Sequence, residues 1–480
     1  MDNSNFSKSV VWYGFGNLFI RLLSFILLPL YSNLISTEEF GDFSLLMSVY
    51  AIGVVLYQFG MQSALNKFFI EEKTEDKKRL IFSSIFNSVI IFGIIFTIIF
   101  WFTAPQLSLL IFDSTKYSYL LILIIVTILI ETLTFFILFL LKTKELAKKA
   151  VSYTVIGGII NLLLNLIIVY QYRLGVLGII LSQLIASTIL LLLLINVISE
   201  DYLPKIDGKI FKAIFKFSFP LLLANLLTAG VNVADRFILN NLMGKTEVGI
   251  YSFSYRIAIV MNVFVASFST AWNPHSLNLF YLNNYKQAFG KTLTKLVALS
   301  CLLLLIVSLF ARHLFDLYFF DITIFNPAYK EGVVIIPFVM IGYFFSGISS
   351  FYSVYPSIAN KTYHFLISDI IAFSTNIILN FILIPQIGFL GAAYATTTGF
   401  LFGAVYLFFI SRNKIKIEYQ PKELSIIIIV TLGILFIALN IKNLLLDISL
   451  ILLYLVALNF FAKIKINQIF NFSNSHKGTL

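Results

Sequence analysis

The stretches Asn161-Leu-Leu-Leu-Asn165 and Asn376-Ile-Ile-Leu-Asn380 share one pattern, and each lies inside a long apolar run. Each is followed by a Gly-x-x-Gly stretch that opens the next apolar run, Gly175-Val-Leu-Gly178 in the first case and Gly388-Phe-Leu-Gly391 in the second. The separation between the two asparagine stretches is nearly the same as that between the two glycine stretches. Two matches in the same order at nearly one spacing predict an internal duplication.

A third pair of similar stretches supports the duplication. Glu39-Phe-Gly-Asp-Phe-Ser44 is echoed by Glu247-Val-Gly-Ile-Tyr-Ser252, again at nearly the same separation. Each half then holds six apolar runs, and because six is an even number both halves enter the membrane in the same direction. Halves of this kind are related by an axis along the membrane normal, the parallel-repeat arrangement of some transporters.

The apolar runs are long enough to cross a membrane. A helix needs about 20 apolar residues to span about 30 Å of hydrocarbon. The first run is longer than the core of a signal peptide and lacks a small-residue cleavage site, so it is predicted to be a retained span. The fourteen predicted spans cover residues 10–35, 42–64, 80–102, 118–141, 151–170, 176–198, 217–240, 249–272, 292–311, 333–356, 365–384, 390–411, 425–440 and 448–463.

The composition excludes a soluble enzyme. Of the 480 residues, 59% are hydrophobic and 12% are charged, whereas soluble domains have about 25% charged residues. Too few charges are present to cover the surface of a water-soluble globule of this size. The single cysteine, Cys301, has no disulfide partner within the chain. The predicted fold class is an all-α integral membrane protein with two six-helix lobes followed by two additional helices.

Basic residues predict the orientation of the chain in the membrane. The formal net charge is +11, and short cytoplasmic loops of membrane proteins carry an excess of Lys and Arg. With the N-terminus inside, 25 of the 34 Lys and Arg residues lie on the cytoplasmic side and 6 lie outside, while Arg21, Arg236 and Arg256 lie within spans. Both termini are therefore predicted to be cytoplasmic. Because the positive charge is spread over loops between spans, nucleic-acid binding is not expected.

The spans also predict the domain boundaries. The prediction is an N-terminal six-helix lobe, a cytoplasmic linker, a C-terminal six-helix lobe, and two helices with a cytoplasmic tail, over residues 1–200, 201–216, 217–411 and 412–480. In the linker, Lys209, Lys212 and Lys216 alternate with apolar residues at helical spacing. That pattern is typical of a helix on the anionic inner leaflet, but a solvated linker fits it equally well.

Two arginines deep inside predicted spans are the first candidates for substrate binding. An ionisable residue at the centre of a span costs about 2.5–3.5 kcal/mol and usually faces a cavity or a partner of opposite charge. Arg21 lies near the middle of the first span, and Arg256 lies well inside the outer end of the eighth. The planar guanidinium suits a diphosphate, so both are predicted to bind an anionic head group at the lobe interface. The alternative is an ion pair with an acid such as Glu131.

Each of the other polar candidates within spans has two interpretations. Asp235 and Arg236 are adjacent, so their side chains leave a helix about 100° apart and are not expected to pair; each either faces the cavity or closes an outer gate. Arg236 lies about a turn from the end of its span, so its side chain could equally reach the membrane surface. Glu131 is either a coupling site for H+ or Na+ or the counter-ion of an arginine. Gln58 and Asn225 either bind sugar hydroxyls or serve helix packing.

Several chemical signatures are absent from the sequence. The four histidines show no metal-ligand spacing, and there is no Walker-type phosphate-binding loop. No Asp-x-Asp or Glu-x-Asp motif occurs. The sequence therefore predicts neither an enzyme nor a bound metal or cofactor. The two Asn-x-x-x-Asn pairs are interpreted as contacts between helices rather than as substrate ligands.

The order and spacing of several motifs over about residues 7–411 resemble the polysaccharide repeat-unit flippases. These motifs are Gly14 followed by Arg21, Pro29-Leu-Tyr31, Ser36-Thr-Glu-Glu-Phe-Gly41, Asp235-Arg236, Gly249-x-Tyr251-Ser252, and Asn380 followed by Gly388-x-x-Gly391-Ala-Ala. The superfamily of these flippases also contains the lipid II flippases and the multidrug and toxin extrusion transporters. Arg21 and Arg256 resemble in placement the arginines that lipid II flippases use in their first and eighth spans.

The resemblance implies a V-shaped bundle of two lobes that works by alternating access in the bacterial plasma (inner) membrane. The implied cargo is an undecaprenyl-diphosphate-linked oligosaccharide, which is moved to the outer face for lipopolysaccharide O-antigen, capsule or exopolysaccharide. A polysaccharide polymerase and chain-length proteins are implied partners, besides the membrane lipids, and the chain is expected to be a monomer. A coupling ion, H+ or Na+, or the membrane potential is expected to drive transport.

Two other transport functions are compatible with the same fold. One is a lipid II flippase, and the other is a cation-coupled multidrug exporter. The exporter would favour buried acids because its substrates are cationic. The charges within spans are Arg21 and Arg256 against Glu131 and Asp235, which favours an anionic cargo without excluding the exporter.

Overall fold

A computed structural model describes the chain over residues 3–198, 201–319, 322–359, 361 and 363–460. The tail after residue 460, with the end of the last predicted span, lies outside these residues. The helices are α1 (Asn3–Leu34), α2 (Thr37–Gln58), α3 (Met61–Glu71), α4 (Glu75–Phe112), α5 (Ser118–Thr143), α6 (Ala147–Leu164), α7 (Gly175–Ile198), α8 (Gly208–Met243), α9 (Lys245–Phe280), α10 (Tyr285–Ala311), α11 (Ile336–Tyr352), α12 (Val354–Ile358), α13 (Tyr363–Ile387), α14 (Phe389–Arg412), α15 (Pro421–Asn440) and α16 (Leu444–Phe460).

Short elements complete the described chain. A π-helix over Asn165–Gln171 continues α6. Strands β1 (Tyr318–Phe319) and β2 (Ile322–Thr323) pair antiparallel. Three 3-10 helices cover Thr115–Tyr117, His313–Phe315 and Pro327–Ile335.

The predicted all-helical membrane architecture is confirmed. Within the described residues, twelve helices are long and apolar enough to cross a membrane, and two shorter apolar stretches cover Phe19–Leu34 and Leu444–Asn459. A helix lies at each predicted span. Only helices and closed barrels satisfy all backbone hydrogen bonds in hydrocarbon, which is why apolar runs of this length become helices. The count of fourteen spans stays a prediction.

The chain divides into two compact units, Met1–Phe237 and Ile238–Leu480. The same succession of helices recurs in both parts of the chain. The starts of α2 and α9, of α4 and α10, and of α7 and α14 are separated by nearly equal lengths of chain. These lengths are close to those between the repeated sequence stretches, so the spacing of the helices agrees with the duplication predicted from short sequence matches.

The two asparagine pairs make the same hydrogen bonds within their helices. Nδ2 of Asn165 lies 2.9 Å from the backbone oxygen of Asn161 and 2.8 Å from its Oδ1. Nδ2 of Asn380 lies 2.9 Å from the backbone oxygen of Asn376 and 3.0 Å from its Oδ1. The repeated sequence pattern therefore produces a repeated local structure.

Each asparagine pair also contacts a neighbouring helix. The hydroxyl of Tyr31 on α1 donates to Oδ1 of Asn165 at 2.8 Å. Nδ2 of Asn376 lies 3.1 Å from Oγ1 of Thr396 on α14. Side-chain amides of this kind join helices within membranes, so the structure agrees with their interpretation as helix contacts.

The segment between α7 and α8 is attached to α4. The backbone N–H of Leu203 donates to Oγ of Ser83 at 2.7 Å, and the hydroxyl of Tyr202 donates to Oδ1 of Asn87 at 2.6 Å. The segment ends at Gly208, where α8 begins. Residues 208–216 are therefore the first turns of the long helix α8, and their placement at the membrane surface stays a prediction.

A row of aromatic side chains along the first part of α8 packs on residues of the first unit. Phe211, Phe215 and Phe219 follow at four-residue spacing, with ring centroids 5.9 and 6.0 Å apart. Phe215 lies 5.4 Å from Phe59, which follows α2, and Phe211 lies 6.3 Å from Phe92 of α4. Packing of Phe215 on Phe59 and of Phe211 on Phe92 explains why most of α8, predicted as the first helix of the C-terminal lobe, belongs to the first compact unit.

Candidate functional site

Arg21 lies on a side of α1 that points away from α6. Ile20 and Leu23 of α1 pack on Gly158 of α6, where an added Cβ would stand 2.5 Å from Cδ1 of Ile20. Arg21 follows Ile20 by one residue, about 100° around the helix, and it is exposed. Among the side chains that the structure describes, no carboxylate forms an ion pair with it. The ion pair with Glu131 that was an alternative for Arg21 is therefore not formed.

Arg256 lies on the polar side of α9 in the second unit. It is half-buried, and Ser267 and Thr270 follow it at intervals that place all three on one face of the helix. The hydroxyls of Ser267 and Thr270 donate to backbone oxygens of their own helix at 2.8 and 2.9 Å, and both residues are exposed. Exposed hydroxyl groups on this face of α9, within a predicted membrane-spanning helix, suit contact with a water-filled path better than contact with lipid.

Each of the two arginines lies well inside its own helix. The helix between Arg21 and the C-terminal end of α1 at Leu34 is about 20 Å long. The helix between Arg256 and the N-terminal end of α9 at Lys245 is about 16 Å long. Both positions are too far from a helix end for a side chain to reach the membrane surface easily.

Asp235 and Arg236 pair with each other, and the prediction that they do not is wrong. Nη1 of Arg236 lies 3.0 Å from Oδ1 of Asp235 and 2.5 Å from the backbone oxygen of Asn232. The long arginine side chain folds back along the helix, which overcomes the different directions of the two Cβ atoms. The Asp235 side chain is fully buried, so its carboxylate is not exposed to a cargo.

A polar stripe runs along α8 before this ion pair. Asn225, Thr228 and Asn232 occur at i, i+3 and i+7 and therefore share one face. Asn225 and Thr228 are exposed, and Nδ2 of Asn232 donates to the backbone oxygen of Thr228 at 2.8 Å. Thr228 was missed in the sequence analysis, although its spacing from Asn225 and Asn232 could have identified it.

Gln58 is the last residue of α2, at a break in the second predicted span. Phe59 and Gly60 have φ angles of 51° and 67°, a backbone conformation that glycine adopts easily. At Gly60 an added Cβ would also stand 2.7 Å from the backbone oxygen of Ser218. The chain then continues as α3, and Gln58 is left half-buried beside the break.

Glu131 forms a polar cluster with two neutral residues of neighbouring helices. The hydroxyl of Tyr50 on α2 donates to Oε2 of Glu131. Nε2 of Gln183 on α7 donates to Oε1 at 3.0 Å. The carboxylate partners are therefore a hydroxyl and an amide, so the interpretation of Glu131 as the counter-ion of an arginine does not agree with the structure. Tyr50 and Gln183 were not identified from the sequence, because only the packing of three helices brings them together.

A metal site is not formed by the part of the chain that the structure describes. Within it, no group of three His, Cys, Asp or Glu residues is arranged to hold an ion. The site residues therefore comprise the exposed Arg21, Arg256 on a polar helix face, the polar residues of α8, the Asp235–Arg236 ion pair, Gln58, and Glu131 with its two neutral partners.

Similar proteins support the assignment of a transporter fold. The solved structure "Lipid II flippase MurJ, inward closed conformation" is 18% identical, with a TM-score of 0.75, and covers 94% of this chain and 98% of that chain. The inward-facing conformation of a multidrug resistance MATE family transporter of the MOP superfamily is 14% identical, with a TM-score of 0.68, and covers 82% of this chain and 94% of that chain. At these identities the likeness shows the fold.

The similar sequences include a membrane protein and a protein of polysaccharide biosynthesis. An uncharacterized membrane protein, MJ1068 of Methanocaldococcus jannaschii, is 20% identical over 91% of this chain and 90% of its own length. The capsular polysaccharide biosynthesis protein CapF of Staphylococcus aureus is 30% identical over 39% of this chain and 46% of its own length. The model of a family described as "Polysaccharide biosynthesis protein" matches residues 6–280, more than half of the chain. The chain therefore belongs to this polysaccharide biosynthesis protein family.

Proposed function

We propose that this protein is a flippase that moves an undecaprenyl-diphosphate-linked oligosaccharide repeat unit across the bacterial plasma membrane. The observation that carries the proposal is Arg21, an exposed guanidinium far from both ends of α1 with no carboxylate partner among the described side chains. A permanent charge at such a depth is costly unless it meets water or an anionic ligand. The diphosphate of a lipid carrier is a ligand of that kind.

Both arginines suit a diphosphate. A guanidinium presents its N–H donors in a planar fork that can bind two phosphate oxygens at once, and it stays charged at any physiological pH. Arg21 and Arg256 are each assigned to binding of the diphosphate at some stage of the transport cycle. The position of each residue well inside its own helix supports this assignment.

The oligosaccharide needs neutral hydrogen-bonding groups rather than charges. Asn225 and Thr228 on the exposed face of α8 offer an amide and a hydroxyl to sugar hydroxyls. Gln58 can act in the same way beside the break after α2. A path lined by such groups accepts sugars without selecting strongly for one of them, because each group both donates and accepts hydrogen bonds.

The multidrug exporter is the second candidate function. A cationic drug would need an accessible carboxylate within the membrane, but Asp235 is buried and paired with Arg236. The carboxylate of Glu131 is bonded by Tyr50 and Gln183. The exposed charge at depth is instead the cation Arg21, which favours an anionic cargo. A lipid II flippase shares this preference and differs in the sugars carried.

The cellular setting completes the proposal. We place both termini in the cytoplasm, as the distribution of Lys and Arg predicts. The protein acts as a monomer beside a polysaccharide polymerase and chain-length proteins, and a coupling ion or the membrane potential drives transport. The surface polymer is an O-antigen, a capsule or an exopolysaccharide.

Deletion of the chain in its own host tests the proposed function. Loss of the surface polysaccharide, together with accumulation of undecaprenyl-linked repeat units in the membrane, is expected. Normal polysaccharide with increased sensitivity to cationic drugs would favour the exporter instead. Loss of viability with accumulation of lipid II would favour the lipid II flippase.

A further inference from the structure

Glu131 lies in the middle of a membrane-spanning helix. It stands almost midway between the start of α5 at Ser118 and its end at Thr143, so about 18–20 Å of helix separates it from either end. A carboxylate at such a depth requires compensation by a cation, a metal ion or a proton.

The helices packed around α5 supply no compensating cation at this depth. Helices α2, α3, α4, α6 and α7 and the 3-10 helix Thr115–Tyr117 contact α5, and α7 has no charged residue. Apart from Glu131, the charged residues of α5 and of the other elements stand in the first or last two turns of their helices, in α3 or in the 3-10 helix: Glu38, Glu39, Asp42, Lys67, Glu71, Glu75, Asp76, Lys77, Lys78, Arg79, Lys116, Lys142, Lys148 and Lys149.

Tyrosines are the other titratable groups on these elements. The Tyr57 hydroxyl lies 3.0 Å from Oγ1 of Thr97, and the Tyr117 hydroxyl donates to Oδ2 of Asp42 at 2.6 Å. Tyr119 and Tyr153 stand in the first two turns of α5 and α6. Tyr50 alone among them is bonded to Glu131 in the described structure, and it is neutral at physiological pH.

The two partners of Glu131 can serve both protonation states of its carboxyl group. A tyrosine hydroxyl and a glutamine amide each contain a donor and an acceptor. They donate to the carboxylate as observed, and a protonated carboxyl can donate its own O–H to the oxygen of either partner. A metal cation would instead need several oxygen ligands, whereas Gln183 presents its amide nitrogen to Glu131.

We infer that the Tyr50–Glu131–Gln183 cluster is a reversible proton-binding site that couples proton movement to transport. One proton adds to a carboxylate oxygen of Glu131, which changes the charge among α2, α5 and α7 by one unit, and the same proton is released on the other side of the membrane later in the cycle. The coupling part of this inference rests on the proposed flippase function, whereas the proton site itself does not.

Infrared spectroscopy of the purified protein in lipid vesicles tests the proton site directly. The wild type is expected to show a protonated-carboxyl stretching band whose intensity changes with pH. Glu131→Gln, which has nearly the same shape and can bond both partners with the donor and acceptor reversed in one bond, should lack this band. Glu38→Gln, at an exposed position in the first turn of α2, is the matched control and should keep it. Equal bands in the wild type and in Glu131→Gln would overturn the inference.

A second variant distinguishes the loss of the titratable carboxyl group from a general effect of substitution on folding. Glu131→Asp keeps a titratable carboxyl group in the cluster, so its band should persist at a shifted frequency while Glu131→Gln has none. Both variants should be present in membranes in the same amount as the wild type. A missing band in Glu131→Asp, at normal protein levels, would contradict a carboxyl group that titrates in this cluster.

Proton coupling is tested with vesicles that contain lipid-linked oligosaccharide extracted from the deletion strain. In the wild type, an imposed pH gradient should increase oligosaccharide transfer several-fold, and Glu131→Gln should transfer it at a rate independent of the gradient. A gradient response in Glu131→Gln equal to the wild type would overturn coupling through Glu131. No transfer by any variant would contradict the flippase function and leave the infrared result for the proton site standing.

Discussion

Nη2 of Arg312 lies 2.6 and 2.5 Å from the two carboxylate oxygens of Asp447. Arg312 directly follows α10, and Asp447 stands in the first turn of α16. Nη1 of Arg312 also donates to the backbone oxygen of Ala438 in α15 at 2.5 Å, and Nε2 of His313 lies 2.6 Å from Oδ2 of Asp447. This ion pair therefore ties the last two helices to α10.

Arg312→Ala should destabilise the protein strongly. The Asp447 side chain is fully buried, so removal of Arg312 leaves a buried carboxylate without its main partner, which costs about 3–5 kcal/mol. Thermal unfolding of the protein in detergent measures the effect. The control is Lys330→Ala, which breaks the exposed ion pair with Asp316 and should cost about 0–1 kcal/mol. Equal effects of the two changes would contradict the structural importance of the Arg312 contact.

Arg21→Ala should reduce surface polysaccharide strongly while the amount of protein in the membrane stays normal. A hydrogen bond to a charged group is worth about 1.5–3 kcal/mol, so the loss of one corresponds to roughly tenfold or more in transport. Arg21→Lys should rescue partially, because it keeps the charge and loses the fork. Polysaccharide per cell and an immunoblot of membranes are the measurements.

The matched control for Arg21 is Arg79→Ala. Arg79 is exposed in the second turn of α4, near the end of a predicted span, so its loss should leave polysaccharide unchanged. Wild-type polysaccharide in Arg21→Ala would exclude Arg21 from substrate binding.

Arg256→Ala should also reduce polysaccharide by roughly tenfold or more, since it removes the second guanidinium proposed to bind the diphosphate. Arg256→Lys should again recover part of the function. Thr270→Ala removes a hydroxyl from the same face of α9 and keeps the charge, so its effect should be much smaller. If Thr270→Ala lowered polysaccharide as much as Arg256→Ala, the charge would not be the property that matters.

Gly391→Ala should destabilise the second unit more than Gly178→Ala destabilises the first. These are equivalent glycines of the repeated Gly-x-x-Gly pattern. At Gly391 an added Cβ would stand 2.5 Å from the backbone carbon of Leu383, whereas at Gly178 the nearest atom is Cβ of Leu174 at 3.1 Å. Overpacking costs about 1–3 kcal/mol, and the rigid backbone cannot relieve it. Thermal unfolding would contradict this if Gly178→Ala were the more damaging change.

Residue order alone predicted the spans and the duplication. Apolar runs such as 118–141 and 176–198 coincide with α5 and α7 within a few residues, because a chain in hydrocarbon must close its backbone hydrogen bonds within each helix. The asparagine repeats also depend on local structure, because in each pair the second asparagine hydrogen-bonds to the first, four residues earlier in the same helix. Contacts between residues that are close in the chain can therefore be predicted from the sequence.

The sequence could not predict which polar side chains meet. Asp235 and Arg236 pair because a long side chain folds back along its helix, a conformation that the direction of the Cβ atoms does not predict. Glu131 meets Tyr50 and Gln183 across 81 and 52 residues of chain.

Tertiary structure alone also placed the first part of α8, since aromatic rings far apart in the chain hold it in the first unit. The sequence by itself thus determined the helices, their repetition and the residues whose charge is costly in a membrane. Which of those charges stay exposed and which find partners was decided only by packing. The physical reason is that solvation and backbone hydrogen bonding act residue by residue, whereas side-chain pairing depends on how whole helices lie against each other.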